Sequence, residues 1–333
     1  MNTLMTESTE RPPSARITAL REGALVLTVL ACLPYLVLKT AWIFGSHIGI
    51  PADSALLGHE GTMRAANGLT VLMDVTAVIL AFALARPWGH RIPAWLIAGP
   101  LWVATGLLAP IVVAFPLQSL VGSSEASAAP DFLEPWVFTV VYGGFCLQAL
   151  GLGTLLVLHA VRRWGYLWRG TVRQLPAPSP AARLSVIGAA VVGLLSFLTH
   201  AGWASGAHWF RLEAATDAQT LVVHGVNAGL VVLAFAGAFV LVFRSVRRLA
   251  AWVPLAAAWI GSSAVGCWGA WMLLTSALTG PVAQDQAPAR LVAVFAVAAI
   301  AGAMLLVTGA HLFADWARAR DRRGEIRGPG EAR

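Results

Sequence analysis

The sequence predicts an all-α integral membrane protein in which about eight helices cross the bilayer. Three observations predict this class: the composition is strongly apolar, the apolar residues fall into eight long runs, and basic residues cluster between those runs. Of the 333 residues, 58% are hydrophobic and only 12% are charged, whereas soluble proteins carry about 25% charged residues. The mean hydropathy is +0.72. This composition indicates that lipid, rather than water, surrounds most of the chain.

Eight segments are long enough to span a bilayer, which takes roughly 20 apolar residues per helix. They are 23–45, 66–86, 93–117, 135–160, 184–206, 220–243, 252–278 and 289–313. The first run follows a polar stretch and is too long for a signal h-region, so we expect it to be retained as a helix. We therefore expect a cytoplasmic tail at 1–22, a four-helix repeat at 23–160, a cytoplasmic linker at 161–183, a second four-helix repeat at 184–313 and a disordered basic tail at 314–333.

Arginine predicts the orientation of the helices. With alternate loops assigned to opposite sides, 19 arginines fall on one side and three on the other, namely Arg64, Arg211 and Arg290. The arginine-rich side of a membrane protein is the cytoplasmic side. The bias predicts a multi-pass plasma-membrane protein with both ends in the cytoplasm. Because the basic residues lie in short clusters between apolar runs, the net charge of +7 is not interpreted as nucleic-acid binding.

An internal duplication relates the two halves. The segment Lys39-Thr-Ala-Trp42-Ile-Phe-Gly45 aligns with His200-Ala-Gly-Trp203-Ala-Ser-Gly206. The other matches, all in the same order, are Asn67 with Asn227, Arg91 with Arg248, Trp95 with Trp252 and Trp102 with Trp259. Four crossings return the chain to its starting side, so two such units have the same orientation. Parallel repeats of this kind are related by an axis along the membrane normal.

The stretch Lys39-x-x-Trp42-x-x-Gly45 resembles the end of the first helix in a family of small four-helix actinobacterial membrane proteins. Those proteins carry a His/Lys-x-x-Trp-x-x-Gly-Gly pattern, and here Ser46 and Ala207 replace the second glycine. The resemblance implies that this chain is two such units fused in tandem. It implies no catalytic residue, because the function of that family is unknown.

Lys39 and Asp74 are the charged residues that stand out within the predicted helices. Lys39 is the only lysine of the chain, and the two residues are expected at similar depth on adjacent helices. Charges inside a membrane are rare and are usually paired or face a cavity. Three interpretations remain open: an ion pair that locks the first two helices together, a lysine that snorkels to the surface, or a charged wall of a binding cavity.

Further polar residues share the predicted depth of this pair. Asn67 lies on the same face of the second helix as Asp74, and His224 and Asn227 share a face of the sixth. His200 stands where Lys39 stands in the first half, and Trp42 and Trp203 follow three residues later. We expect helices 1, 2, 5 and 6 to bring these faces together. The candidate ligand-binding residues are Lys39, Trp42, Asn67, Asp74, His200, Trp203, His224 and Asn227.

No metal site is predicted, and the sequence leaves the cofactor open, with haem binding a less favoured alternative. The chain has no HExxH motif and no cysteine–histidine cluster, and its three cysteines lie in separate apolar runs. The plan of four plus four helices resembles haem A synthase, which presents a histidine pair from the second and fourth helices of each half. Here the second helix has no histidine, and His159 and His311 fall at the cytoplasmic ends.

The leading functional prediction is a pocket open to the outer side that binds or transports a small molecule or an ion. One alternative is an intramembrane enzyme that acts on a lipid or another apolar substrate, with Asp74, His200 or His224 as the acid–base group. Another is a membrane scaffold without a ligand. The lipid bilayer is the one expected partner, and the sequence leaves the oligomeric state open.

Overall fold

The fold is a bundle of eight long α-helices. The computed structural model describes residues 14–121, 133–165, 170–207, 217–279 and 289–326. The helices are α1 Ala15–Ile43, α2 Glu60–Ala85, α3 Ala94–Val121, α4 Pro135–Arg163, α5 Pro180–Ala204, α6 Ala218–Phe243, α7 Trp252–Thr279 and α8 Ala289–Ile326. Eight helical segments are long and apolar enough to cross a membrane, and the described ranges contain no strand. The predicted class, an all-α polytopic membrane protein, is confirmed.

The outer surface of the bundle is apolar. Val37 on α1 and Leu184 and Val191 on α5 are 67%, 71% and 70% exposed, and similar side chains cover the other helices. Large contiguous apolar surfaces are rare on soluble monomers. This surface is the one that acyl chains contact in a bilayer.

The helices extend further than the apolar runs at both ends of the chain. Because α1 begins at Ala15 and α8 continues to Ile326, residues 15–22 are helical and the prediction of disorder is wrong for 314–326. A hydrogen-bonded pair of Arg318 and Asp315, 2.6 Å apart, lies on this extension of α8. Trp316 is buried in a core cluster of the second half. The helix α8 therefore extends beyond the apolar run into the basic tail, and Trp316 packs this extension against the core.

Part of the predicted linker is built into the second half. Residues 170–179 lie along the loop between α6 and α7, where the Val172 N–H donates to the Leu249 carbonyl at 2.9 Å. The Ala251 N–H donates to the Gly170 carbonyl, also at 2.9 Å. Val172 is fully buried. This segment is therefore an ordered element of the second half rather than a free connection.

The two halves meet through α3. In the first half α1 packs against α2 and α4, in the second half α5 packs against α6 and α8, and α3 contacts both α6 and α7. Within the described ranges, α1 and α2 have no extensive packing against α5 or α6, so the expected meeting of helices 1, 2, 5 and 6 is wrong. Small residues explain the observed contact, because a Cβ at Gly106 of α3 would overlap the Ser263 carbonyl of α7.

Two local features of the halves correspond. Gly45 after α1 and Gly206 after α5 both have positive φ, 87° and 81°, and their N–H groups donate to the carbonyls of Trp42 and Trp203 at 3.1 Å. Such left-handed caps are most accessible to glycine. The shared cap supports the alignment of Gly45 with Gly206. The duplication of the whole four-helix unit stays a prediction.

Candidate functional site

A large cavity lies within the first half of the protein. Its volume is about 630 Å³, and α1, α2, α3 and α4 line it together with the end of α7. It runs from Val137, near the start of α4, to Leu80 and Pro100, near the opposite ends of α2 and α3. Small-molecule sites typically measure about 300–1,000 Å³. The cavity therefore has the size of a site for one small ligand.

Lys39 lies on the polar wall of this cavity. Its Nζ donates a hydrogen bond to Asn67 Oδ1 at 2.8 Å. The same ammonium lies 5.0 Å from the ring centroids of both Tyr35 and Trp42, within the range of a cation–π contact. These contacts hold Lys39 inside the bundle, where it lines the cavity. The snorkelling interpretation does not describe this arrangement.

Asp74 lies on the same wall and keeps an unsatisfied oxygen. Gln148 Nε2 on α4 approaches Asp74 Oδ1 at 3.4 Å, whereas the buried Oδ2 has no hydrogen-bond partner. Asp74 is only 5% exposed. An unsatisfied polar atom in such a place costs about 1–3 kcal/mol, and more for a charged group. Asp74 therefore lines the cavity while its buried Oδ2 lacks a hydrogen-bond donor.

Lys39 and Asp74 do not form the ion pair that one interpretation of the sequence expected. Lys39 bonds to Asn67 and Asp74 to Gln148, and the described salt bridges join other residues. The two charges still interact electrostatically. Each ionic group thus has an amide as its direct partner, and of the three interpretations the charged wall of a cavity fits this placement.

The opposite wall is apolar except for indole N–H groups, of which the buried Trp268 Nε1 has no hydrogen-bond partner. It is formed by α3, which presents six side chains to the cavity: Pro100, Val103, Ala104, Leu107, Leu108 and Ile111. Trp268 and Trp271 of α7 complete this side. A molecule in the cavity therefore meets polar groups of α1, α2 and α4 on one side, and the hydrocarbon of α3 with two indole rings of α7 on the other.

In the described part of the second half, α6 and α7 lie in backbone contact at the place that corresponds to the cavity. A Cβ at Gly261 of α7 would overlap the Ala234 backbone of α6, and one at Gly237 of α6 would overlap the Ala258 backbone of α7. By the alignment of the halves, Asp74 stands in place of Ala234. Ala77 and Ala104 stand in place of the two glycines, and both line the cavity. A carboxylate and two extra methyl groups keep α2 and α3 apart.

The remaining candidate residues lie elsewhere. His200 Nδ1 and His224 Nδ1 are 3.2 Å apart, and the Trp203 ring lies 4.8 Å from the His224 ring and 5.6 Å from the His200 ring. Asn227 Nδ2 donates to the Val223 carbonyl of its own helix at 2.9 Å. None of these four candidates lines the cavity of the first half. The structure thus divides the predicted site into two polar groups, one in each half.

Sequence reasoning missed several residues of the cavity. Gln148 was detectable, because an amide in the middle of an apolar run is unusual. Trp268 and Trp271 were not, since tryptophans near a helix end also form interfacial belts. Only the contact of α3 with α7 reveals that the second half contributes to this wall.

Among the described residues, no group of three or more potential metal ligands lies together. His200 and His224 of the second half share one hydrogen bond, between their Nδ1 atoms. Comparison of the chain with protein-family models, with curated proteins and with solved structures finds no match.

Proposed function

We propose that this protein binds a small molecule in the cavity of its first four helices, as a binding or transport protein of the plasma membrane. The observation that carries the proposal is the position of Asp74. Its Oδ2 is buried and unpartnered at the wall of a cavity. If the carboxylate turns toward the cavity, a ligand that donates a hydrogen bond would satisfy that oxygen, which otherwise stays unsatisfied at a cost.

The rest of the wall supports the same function. Lys39 has used one of its three donors on Asn67, so it offers further donors to a ligand. The aromatic rings of Tyr35 and Trp42 surround its ammonium. Acceptor, donor and aromatic surface thus converge on one space, as in typical ligand sites.

The arginine bias orients this site. The cavity reaches the start of α4 and the end of α1, which lie on the side of the bundle opposite the start of α1 and the end of α8. If the arginine-rich side is cytoplasmic, the polar wall lies in the outer half of the membrane. The proposal therefore includes an outward-facing site.

An intramembrane enzyme is supported less well. Asp74 is the one carboxylate among the described residues that line the cavity, so acid–base chemistry by a carboxylate pair would need a second group from elsewhere. Binding needs no such partner, and it is the function that the geometry supports best.

We also propose that the halves descend from one four-helix unit, as the resemblance to the small actinobacterial proteins implies. The matching glycine caps support this proposal. In this view the first half has opened a ligand cavity and the second half has kept close packing.

Native mass spectrometry of the full-length protein, purified in a mild detergent, tests the function. The wild type is expected to retain a small molecule of defined mass, and the Asp74→Asn and Lys39→Met variants are expected to lose it. His224→Asn is the matched control, because it removes a polar group of the second half. Loss in the control alone would move the site to the histidines, and absence of any bound molecule in the wild type would contradict the proposal.

A further inference from the structure

Between α2 and α3 the cavity is lined by apolar side chains that are exposed. These helices touch at few residues, and Leu72 on α2 and Val103 on α3 both line the cavity. The same two side chains are 62% and 42% exposed at the surface of the bundle. Because exposed apolar residues of this helix bundle face acyl chains, the cavity surface is continuous with the lipid-facing surface at this gap.

The two walls of the cavity also differ in chemistry. The polar wall offers one unsatisfied carboxylate oxygen at Asp74 and free ammonium donors at Lys39. The α3 wall offers hydrocarbon alone. A ligand that satisfies both walls needs a donor and an acceptor at one end and an apolar body along α3.

From this geometry we infer that the ligand is a single-chain amphiphile dissolved in the bilayer, which enters between α2 and α3 and places a polar head without net charge against Lys39 and Asp74. This inference rests on the proposed function and adds the ligand class and the route. The head carries both a hydrogen-bond donor and an acceptor, because the wall presents one acid and one base. A purely anionic or purely cationic head would match only one of them and would meet a like charge at the other.

The volume supports one chain rather than two. A cavity of about 630 Å³ has the size of a drug-like site rather than of a groove for a diacyl lipid. The chain enters past Leu72 and Val103 and lies along the apolar residues of α3. No opening to water is required for this route.

Photo-crosslinking in nanodiscs tests the inference with a defined probe. The probe is a monoacylglycerol with a diazirine near the end of its chain, and the comparison probe is the corresponding fatty acid, whose head is an anion. In the wild type we expect crosslinks to α2 and α3 that a tenfold excess of unlabelled monoacylglycerol suppresses about tenfold, because the two forms compete for one saturable site. The fatty acid is expected to give weak crosslinks that excess lipid does not suppress.

Two variants examine the route. The double variant Leu72→Trp with Val103→Trp fills the gap and is expected to reduce cavity crosslinks several-fold. Val191→Trp, at an exposed position of α5, is the matched control and leaves them unchanged. If the double variant unfolds at a lower temperature than the control, the milder Leu72→Phe variant replaces it.

The outcomes separate this inference from the proposed function. If the Trp variants crosslink like the wild type, or if the fatty acid competes as well as the monoacylglycerol, the ligand class and route are wrong. The cavity remains a binding site in that case, provided Asp74→Asn still loses the molecule that co-purifies. If no probe gives suppressible crosslinks and a water-soluble molecule co-purifies instead, the inference fails and the proposed function stands.

Discussion

Trp102 and Trp259 form reciprocal hydrogen bonds across the contact between the two halves. Trp102 Nε1 on α3 donates to Ser262 Oγ on α7 at 3.2 Å, and Trp259 Nε1 on α7 donates to Thr105 Oγ1 on α3, also at 3.2 Å. Each hydroxyl lies three residues after the other tryptophan, one helical turn further on. The two aligned tryptophans therefore make equivalent contacts, as expected for elements related by an approximate two-fold axis.

These bonds predict a measurable coupling between the halves. Trp102→Phe and Ser262→Ala are each expected to lower the free energy of unfolding by about 1 kcal/mol, the usual contribution of a hydrogen bond. The double variant should cost less than the sum, because both changes remove the same bond. Thermal unfolding in detergent measures the cycle, and the Trp259 and Thr105 cycle is its internal replicate. Strict additivity in both cycles would show that the bonds do not stabilise the interface.

The close contact of α6 with α7 at Gly261 predicts that substitutions at the aligned positions 261 and 104 affect stability differently. Gly261→Ala places a methyl group against the Ala234 backbone, so we expect a loss of about 1–3 kcal/mol from overpacking. Ala104→Val at the aligned position points into the cavity, and it should leave stability nearly unchanged while it reduces ligand retention. Unfolding temperatures and native masses of the two variants check this. A larger loss at position 104 would contradict the explanation of the cavity.

The hydrogen bond from Lys39 to Asn67 predicts which residues are coupled. Lys39→Met leaves the buried amide of Asn67 unsatisfied, so a loss of about 1–3 kcal/mol is expected. In the double variant with Asn67→Leu much of this loss should be recovered. The cycle of Lys39 with Asp74 serves as the comparison and should show weaker coupling, because no direct bond joins them. Stronger coupling of Lys39 to Asp74 than to Asn67 would contradict this assignment of partners.

The positive φ angles predict a cost for side chains at two helix ends. Gly45→Ala and Gly206→Ala should each destabilise the protein by about 1 kcal/mol, because alanine disfavours the left-handed region. Gly68→Ala is the control: it lies inside α2, its added Cβ would meet nothing within 4 Å, and alanine is the better helix former. Equal effects at the three sites in thermal unfolding would contradict the cap assignment.

The arginine bias predicts the topology. Reporters fused after Arg163, Arg248 and Arg320 are expected to read as cytoplasmic, and those at Ser124, Asp217 and Asp285 as external. Ser124 and Asp285 lie outside the described residues, so the prediction for these loops rests on sequence alone. An external signal at Arg248 would reverse the orientation proposed for the cavity.

The sequence alone determined the membrane class and the eight helices, because a spanning helix needs only length and apolar composition. It also located the charged positions, since Lys39 and Asp74 are conspicuous in apolar runs. It did not determine their partners. A side-chain amide such as Gln148 becomes a partner only when two helices pack, which depends on the shapes of both surfaces.

Tertiary structure alone decided where the cavity lies. The sequence predicted a shared site between the halves, with His200 and His224 opposite Lys39. In the structure, Lys39 and Asp74 lie within the first half and the two histidines within the second. The reason is that α3, rather than α1 and α2, forms the contact between the halves. The difference arises from backbone contact. Glycines close α6 onto α7, whereas Asp74 and its neighbouring alanines hold α2 away from α3, and residue periodicity carries no information on such distances between helices.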